Sequence, residues 1–90
     1  MEPEVREQKL MYVQLLESLV QAIDRREDVF RAIASTDTEE EARDAVAALL
    51  GVGNTRARAV LDMQARRWTL GHRRTLAETI EELRAELDSP

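Results

Sequence analysis

An all-α chain, folded as an antiparallel helical hairpin that carries a small helical tip, is what this sequence predicts. Three observations lead there. Helix breakers stand at the edges, with Pro3 and Pro90 near the ends and Gly51, Gly53 and Gly71 as the only interior punctuation. Apolar residues recur at helical spacing in each segment between them, and no segment alternates as a strand would. The outermost segments are the most one-sided, so each seeks an apolar partner, and together they form a hairpin.

No breaker interrupts the chain from Pro3 to about Ala34. Leu16, Ile23 and Phe30 recur every seven residues beside Leu15, Ala22 and Val29, with Leu19 and Ile33 filling the turns between. One helix over this span would be about 45 Å long, more than a compact domain of this size, so part of it is expected to project as an arm. Ser35-Thr36-Asp37-Thr38 breaks the pattern, and Thr38 with Glu41 forms a capping-box signature that opens a second helix with Ala42, Ala45, Val46, Leu49 and Leu50 inward. Gly51 stands where a left-handed cap is wanted, and Asn54 is placed to cap a third helix over about Thr55–Arg67, with Ala57, Val60, Leu61 and Trp68 inward. After Thr69-Leu70-Gly71 a fourth helix carries Leu76, Ile80, Leu83 and Leu87 on one stripe. The chain thus reads as one domain: an arm helix over 1–34, a tip over 35–69 and a returning helix over 70–88.

Ninety residues with 22 Leu, Ile, Val and Phe can build a core, yet a chain this short leaves much surface exposed, and self-association would bury more. Without cysteine there are no disulfides, thiolate metal sites or cysteine nucleophiles. No apolar run has the length of a membrane span or signal peptide, so a cytoplasmic protein is expected. The net charge of −5 speaks against a general nucleic-acid binder. Arg56, Arg58, Arg66, Arg67, Arg73 and Arg74 nevertheless make residues 51–74 locally basic, against Asp62 alone. They are candidates for a basic surface, although solvated helix faces explain them equally simply.

The run Leu16-Glu17-Ser18-Leu19-Val20 through Ala22-Ile23-Asp24, then Val29 and Ile33, resembles the descending arm of the coiled coil in type IIA topoisomerase A subunits, those of bacterial gyrase and topoisomerase IV. Thr38-Glu39-Glu40-Glu41-Ala42-Arg43 and Gly51-Val52 occupy the places of that family's short gate helix and following turn. The strongest match, Ala57-Arg58-Ala59-Val60-Leu61-Asp62-Met63-Gln64-Ala65-Arg66-Arg67-Trp68-Thr69, is similar to its gate helix, and Glu81-Glu82-Leu83 to its returning arm. The resemblance runs from about residue 13 to 87. It implies a coiled-coil arm whose tip meets its twin across a two-fold axis, forming the exit gate for a transported DNA segment. It implies bacterial origin too, with a homodimer and the A subunit of a type IIA topoisomerase as a further expected partner, while the acidic whole leads to an expectation of weak DNA contact or none.

The chain departs from the family in places. Ser18 replaces a favoured glycine, Leu70 precedes Gly71 where the family places glycine first, and Trp68 and Ala65 exchange a smaller and a larger apolar residue. His72 stands where an acid would complete a capping box with Thr69, which puts the start of the last helix in question. Nothing matches the family's DNA-cleaving tyrosine, since Tyr12 follows Met11 and lies within the arm. Its metal-binding carboxylates and ATPase parts have no counterpart.

A non-catalytic dimerisation module is therefore the leading expectation, with no cofactor or metal implied. Val52, Val60, Met63, Trp68 and Leu70 fall in the gate portion, and a domain this small cannot easily hide them all, so they are the candidate dimer interface, with Trp68 as anchor. His72 lacks partners at ligand spacing, Asp62 is placed to pair with Arg58 or Arg66, and Glu39-Glu40-Glu41 suits a helix start. Two alternatives stand beside this reading. Arg26 interrupts the first stripe in register with Leu19 and Ile33, as a small dimeric enzyme of chorismate-mutase type would require of a substrate-binding arginine. The arginines of 56–74 would instead suit a DNA-contacting accessory protein. Met1 and the ending Asp88-Ser89-Pro90 fit a free-standing protein.

Overall fold

The computed structural model describes residues 1–89, and they form an elongated body of 47 × 27 × 17 Å. Five α-helices follow in order: α1 Pro3–Asp24, α2 Arg26–Ala34, α3 Glu39–Leu50, α4 Asn54–Leu61 and α5 Leu70–Asp88, with a 3₁₀ turn at Ala65–Arg67 between the last two. The described residues contain no strand.

α1 and α5 are the hairpin. The ordered pairs Asp24–Arg73, Glu17–Arg84 and Lys9–Glu86, then Arg6 donating to the Leu87 carbonyl, fix their antiparallel sense: as one number falls, the other rises. Between the helices lies a core of Leu16, Ile23 and Leu76, flanked by Val20, Ile80 and Leu83, while Leu87 closes the far end. Four residues of the expected α5 stripe thus face the arm or its end. His72 does not prevent capping, because the Thr69 hydroxyl accepts the His72 amide at 3.1 Å and the helix begins at Leu70.

The expected single helix over residues 3–34 is broken at Arg25, whose backbone (φ −115°, ψ 34°) leaves the helical region. No Pro or Gly is present, so the cause is tertiary. Gln21 and Arg25 reach across to the carbonyls of Leu50 and Leu49, which the end of α3 leaves without helical partners, and Arg26 bonds the carbonyls of Ile23 and Trp68. The break turns α2 into the tip. There Val29 joins Ala22, Val46, Leu50, Ala57 and Val60 in a second core drawn from four helices. The tip therefore begins at α2, not at residue 35.

Two of the expected helix ends form as the sequence suggests. Thr38 accepts the Glu41 amide at 3.1 Å, while the Glu41 carboxylate takes the amide of Asp37 in place of Thr38's own. Gly51, at φ 69°, closes α3 in a Schellman-type turn, with the Val52 amide on the Ala47 carbonyl. The third helix differs from expectation. Asn54 lies inside α4 and makes no side-chain cap, and α4 ends at Leu61, well before Arg67. The Trp68 indole takes the Met63 carbonyl at 3.1 Å as acceptor, which folds the chain back into the 3₁₀ turn.

Candidate functional site

The five residues expected at an interface fall in different places. Val60 is wholly buried among Ala22, Val29 and Val46, so it has no surface to offer and is a core residue. Its place follows from the inner face of α4, which carries Ala57 and Val60 into the tip core as their helical spacing predicts. Val52 and Met63 are half-buried, each against one of the two cores. Trp68 touches both cores, and its ring stands 4.8 Å from that of Phe30. Leu70, 65% exposed, follows directly on the α5 cap.

Heptad spacing puts Phe30 on the buried stripe of the first helix, but half of it meets solvent. The break at Arg25 rotates α2, so the heptad position that is inward at Leu16 and Ile23 turns outward there. A tilted aromatic pair with one exposed member gives the tip an apolar surface with directional character. A bend in the arm gives no signal in hydrophobic spacing, which is why the role of Phe30 escapes a sequence reading.

The six arginines do not form one surface. Arg56 is half-buried and its Nε donates to the Ser18 hydroxyl, which is itself fully buried and donates to the Gln14 carbonyl. Arg73 is held by Asp24, with Nη2 at 2.9 Å from the carboxylate. That hydrogen bond, with the charge of the guanidinium, keeps the Asp24 carboxyl below its usual range and holds Arg73 above its own. Arg58 borders a groove of about 510 Å³ together with Glu39, Glu40, Arg43 and Asp62. Arg66, Arg67 and Arg74 are exposed and enter no ion pair among the described residues, and Arg67 lines a groove beside Tyr12. The expected Asp62 pair with Arg58 or Arg66 does not form: the end of α4 at Leu61 loses the i, i+4 spacing to Arg66, and Arg58, one helical turn before Asp62, enters no ion pair among the described residues.

Arg26 is no free substrate-binding group. Both its bonds go to backbone carbonyls, of Ile23 at 3.1 Å and Trp68 at 3.2 Å, and they tie the arm to the tip. His72 is half-buried and lines the same groove as Tyr12 and Leu76. No helix of the described residues is long and apolar enough to cross a membrane.

No family model matches the chain. It is 32% identical over 73 residues, 81% of its length, to the DNA gyrase A subunits of Mycobacterium bovis (strain BCG / Pasteur 1173P2) and of Mycolicibacterium smegmatis (strain ATCC 700084 / mc(2)155). The same identity and span relate it to the DNA gyrase A subunit of Mycobacterium leprae (strain TN). The matched stretch is 9% of the first two relatives and 6% of the third.

Proposed function

Because this chain is a segment like part of the A subunit of DNA gyrase, we propose that it is a non-catalytic dimerisation module of the exit-gate kind, which pairs with a second copy through its tip. The observation that carries this reading is the half-exposed Phe30 tilted against the anchored Trp68, with Leu70, two residues further along the chain, also exposed, on a tip held out by a zipped hairpin. Exposed aromatic and aliphatic residues of this kind have the composition of an interface core. Through the same surface the module engages the A subunit of a type IIA topoisomerase in the bacterial cytoplasm and modulates it by occupying its gate.

Sedimentation across a concentration series tests the first half. A two-chain mass that Leu70→Glu reduces to the single-chain 10.3 kDa is the expected result. A concentration-independent single-chain mass for the unaltered protein removes the dimer. Co-purification with the gyrase A subunit, lost with the same substitution, tests the second half.

A DNA-contacting role is the second reading, favoured by the exposed Arg66, Arg67 and Arg74. It requires duplex binding that falls steeply with salt.

A further inference from the structure

The groove where α2, α3 and α4 meet at the tip is ringed by charges that do not neutralise one another. Glu39, Glu40 and Arg43 border it from the start of α3, and Arg58 and Asp62 from the end of α4, around a volume of about 510 Å³. Each arginine has an acid one turn away on its own stretch of helix: Arg43 has Glu39 and Glu40, and Arg58 has Asp62. None of these pairs forms among the described residues. Arg43 reaches only its neighbour Asp44, at 3.6 Å, which is too long for a hydrogen bond.

Solvation accounts for the exposed members of this ring, but not for Arg43. Three-quarters of its side chain is buried, and its Nε–H has no acceptor, the one buried side-chain atom so placed among the described residues. A buried donor without a partner is costly, so the guanidinium is held in a position that the chain itself does not satisfy. Beneath the charges the groove is apolar. Ala42 is buried there, and Ile33 and Leu61 pack on the tip core from either side.

We propose that this groove binds a small aliphatic zwitterion, the chemistry of a free hydrophobic amino acid. Its carboxylate lies between Arg43 and Arg58, its ammonium at Asp62 and the two glutamates, and its side chain on Ile33 and Leu61. The charges select this class: an anion alone would face three carboxylates, and a cation alone two guanidinium groups, whereas a ligand with both signs answers both. A guanidinium takes a carboxylate through two parallel bonds, and a turn of Arg43 toward the ligand gives its Nε–H the acceptor it lacks. The volume lies within the range of small-molecule sites, roughly 300–1,000 Å³. The groove belongs to a single chain, so the proposal does not depend on pairing through the tip.

Titration of the full chain with L-leucine, followed by amide NMR, should shift the signals of Ala42, Arg43, Leu61 and Asp62 and leave those of α5 in place. Arg58→Gln and Asp62→Asn, both at exposed positions, should each raise the dissociation constant about tenfold or more, with helical circular dichroism unchanged. Isocaproate, which lacks the ammonium, and isoamylamine, which lacks the carboxylate, should each bind at least about tenfold more weakly than L-leucine. So should N-acetyl-leucinamide, which carries neither charge and stands for an internal peptide segment. Absence of any shift up to the solubility limit of L-leucine overturns the proposal, as do shifts that both variants leave at full strength. Isocaproate or isoamylamine binding as tightly as L-leucine overturns it as well, and equal binding of N-acetyl-leucinamide replaces it with a peptide groove.

Discussion

Arg56 hangs from Ser18: the guanidinium Nε of a residue at the start of α4 donates to a hydroxyl buried completely inside α1. Ser18 in turn donates to the Gln14 carbonyl one turn earlier, so its hydrogen is spent locally and its lone pairs are free for the arginine. A serine at a helix position facing a packed neighbour is a place where a glycine would also fit. In this chain the extra hydroxyl ties the tip to the arm.

Replacing Ser18 by Ala should therefore destabilise the fold by about 1–3 kcal/mol, since a half-buried arginine loses its acceptor. In a domain of this size each such kcal/mol lowers the melting temperature by about 4–8 °C. A double-mutant cycle with Arg56→Ala checks the cause: Ser18→Ala should cost markedly less once Arg56 is absent.

Ile23 is fully buried where the arm meets α5. Ile23→Ala should cost about 2–5 kcal/mol in urea denaturation, a large part of the roughly 5–15 kcal/mol that holds a typical domain together. A loss below about 1 kcal/mol would show that the hairpin does not depend on this seam.

Asp24 and Arg73 predict a pH dependence. The folded carboxyl titrates below its ordinary value, chiefly because Arg73 hydrogen-bonds it. The stability it contributes is thus fully present above the ordinary carboxylate pKa of about 3.9 and is lost as pH falls through the lower folded value. Urea midpoints measured from pH 6 downward should fall less steeply below about pH 4 in Asp24→Asn than in the unaltered protein. Both groups are solvent-exposed, so the difference should be modest and should shrink with salt.

Gly51 is the single residue with positive φ among those described, and an added Cβ would meet no atom within 4 Å. Gly51→Ala should cost about 1 kcal/mol through backbone conformation alone, with no change in near-ultraviolet circular dichroism.

Arg26→Ala removes two bonds to carbonyls, one of which ties α2 to Trp68. The expected result is a loss of about 1–2 kcal/mol in stability. Saturable turnover of chorismate by the unaltered protein, abolished in this variant, would instead favour the enzymatic reading over the dimerisation module.

Much of the architecture was legible in the residue order. The seam of Leu76, Ile80, Leu83 and Leu87, the Thr38 cap and the Gly51 stop depend on neighbours within a few positions, and all are present. The similarity to a segment of the gyrase A subunit was legible for the same reason, since it lies in a continuous run. The interface candidates were read less well. Val60 and Leu70 are both apolar residues of the tip, yet one is sealed in the core and the other stands in solvent.

The order of residues by itself determined that the chain is helical, where most helices begin and end, and that its first and last helices share a dry seam, because capping and amphipathic spacing act within one or two turns. Only the tertiary structure decided the bend at Arg25, the early end of α4 and the capture of Arg56 by Ser18. Each of these depends on groups distant in sequence, such as the Leu49, Leu50 and Trp68 carbonyls, whose need for partners arises only when the helices are packed together.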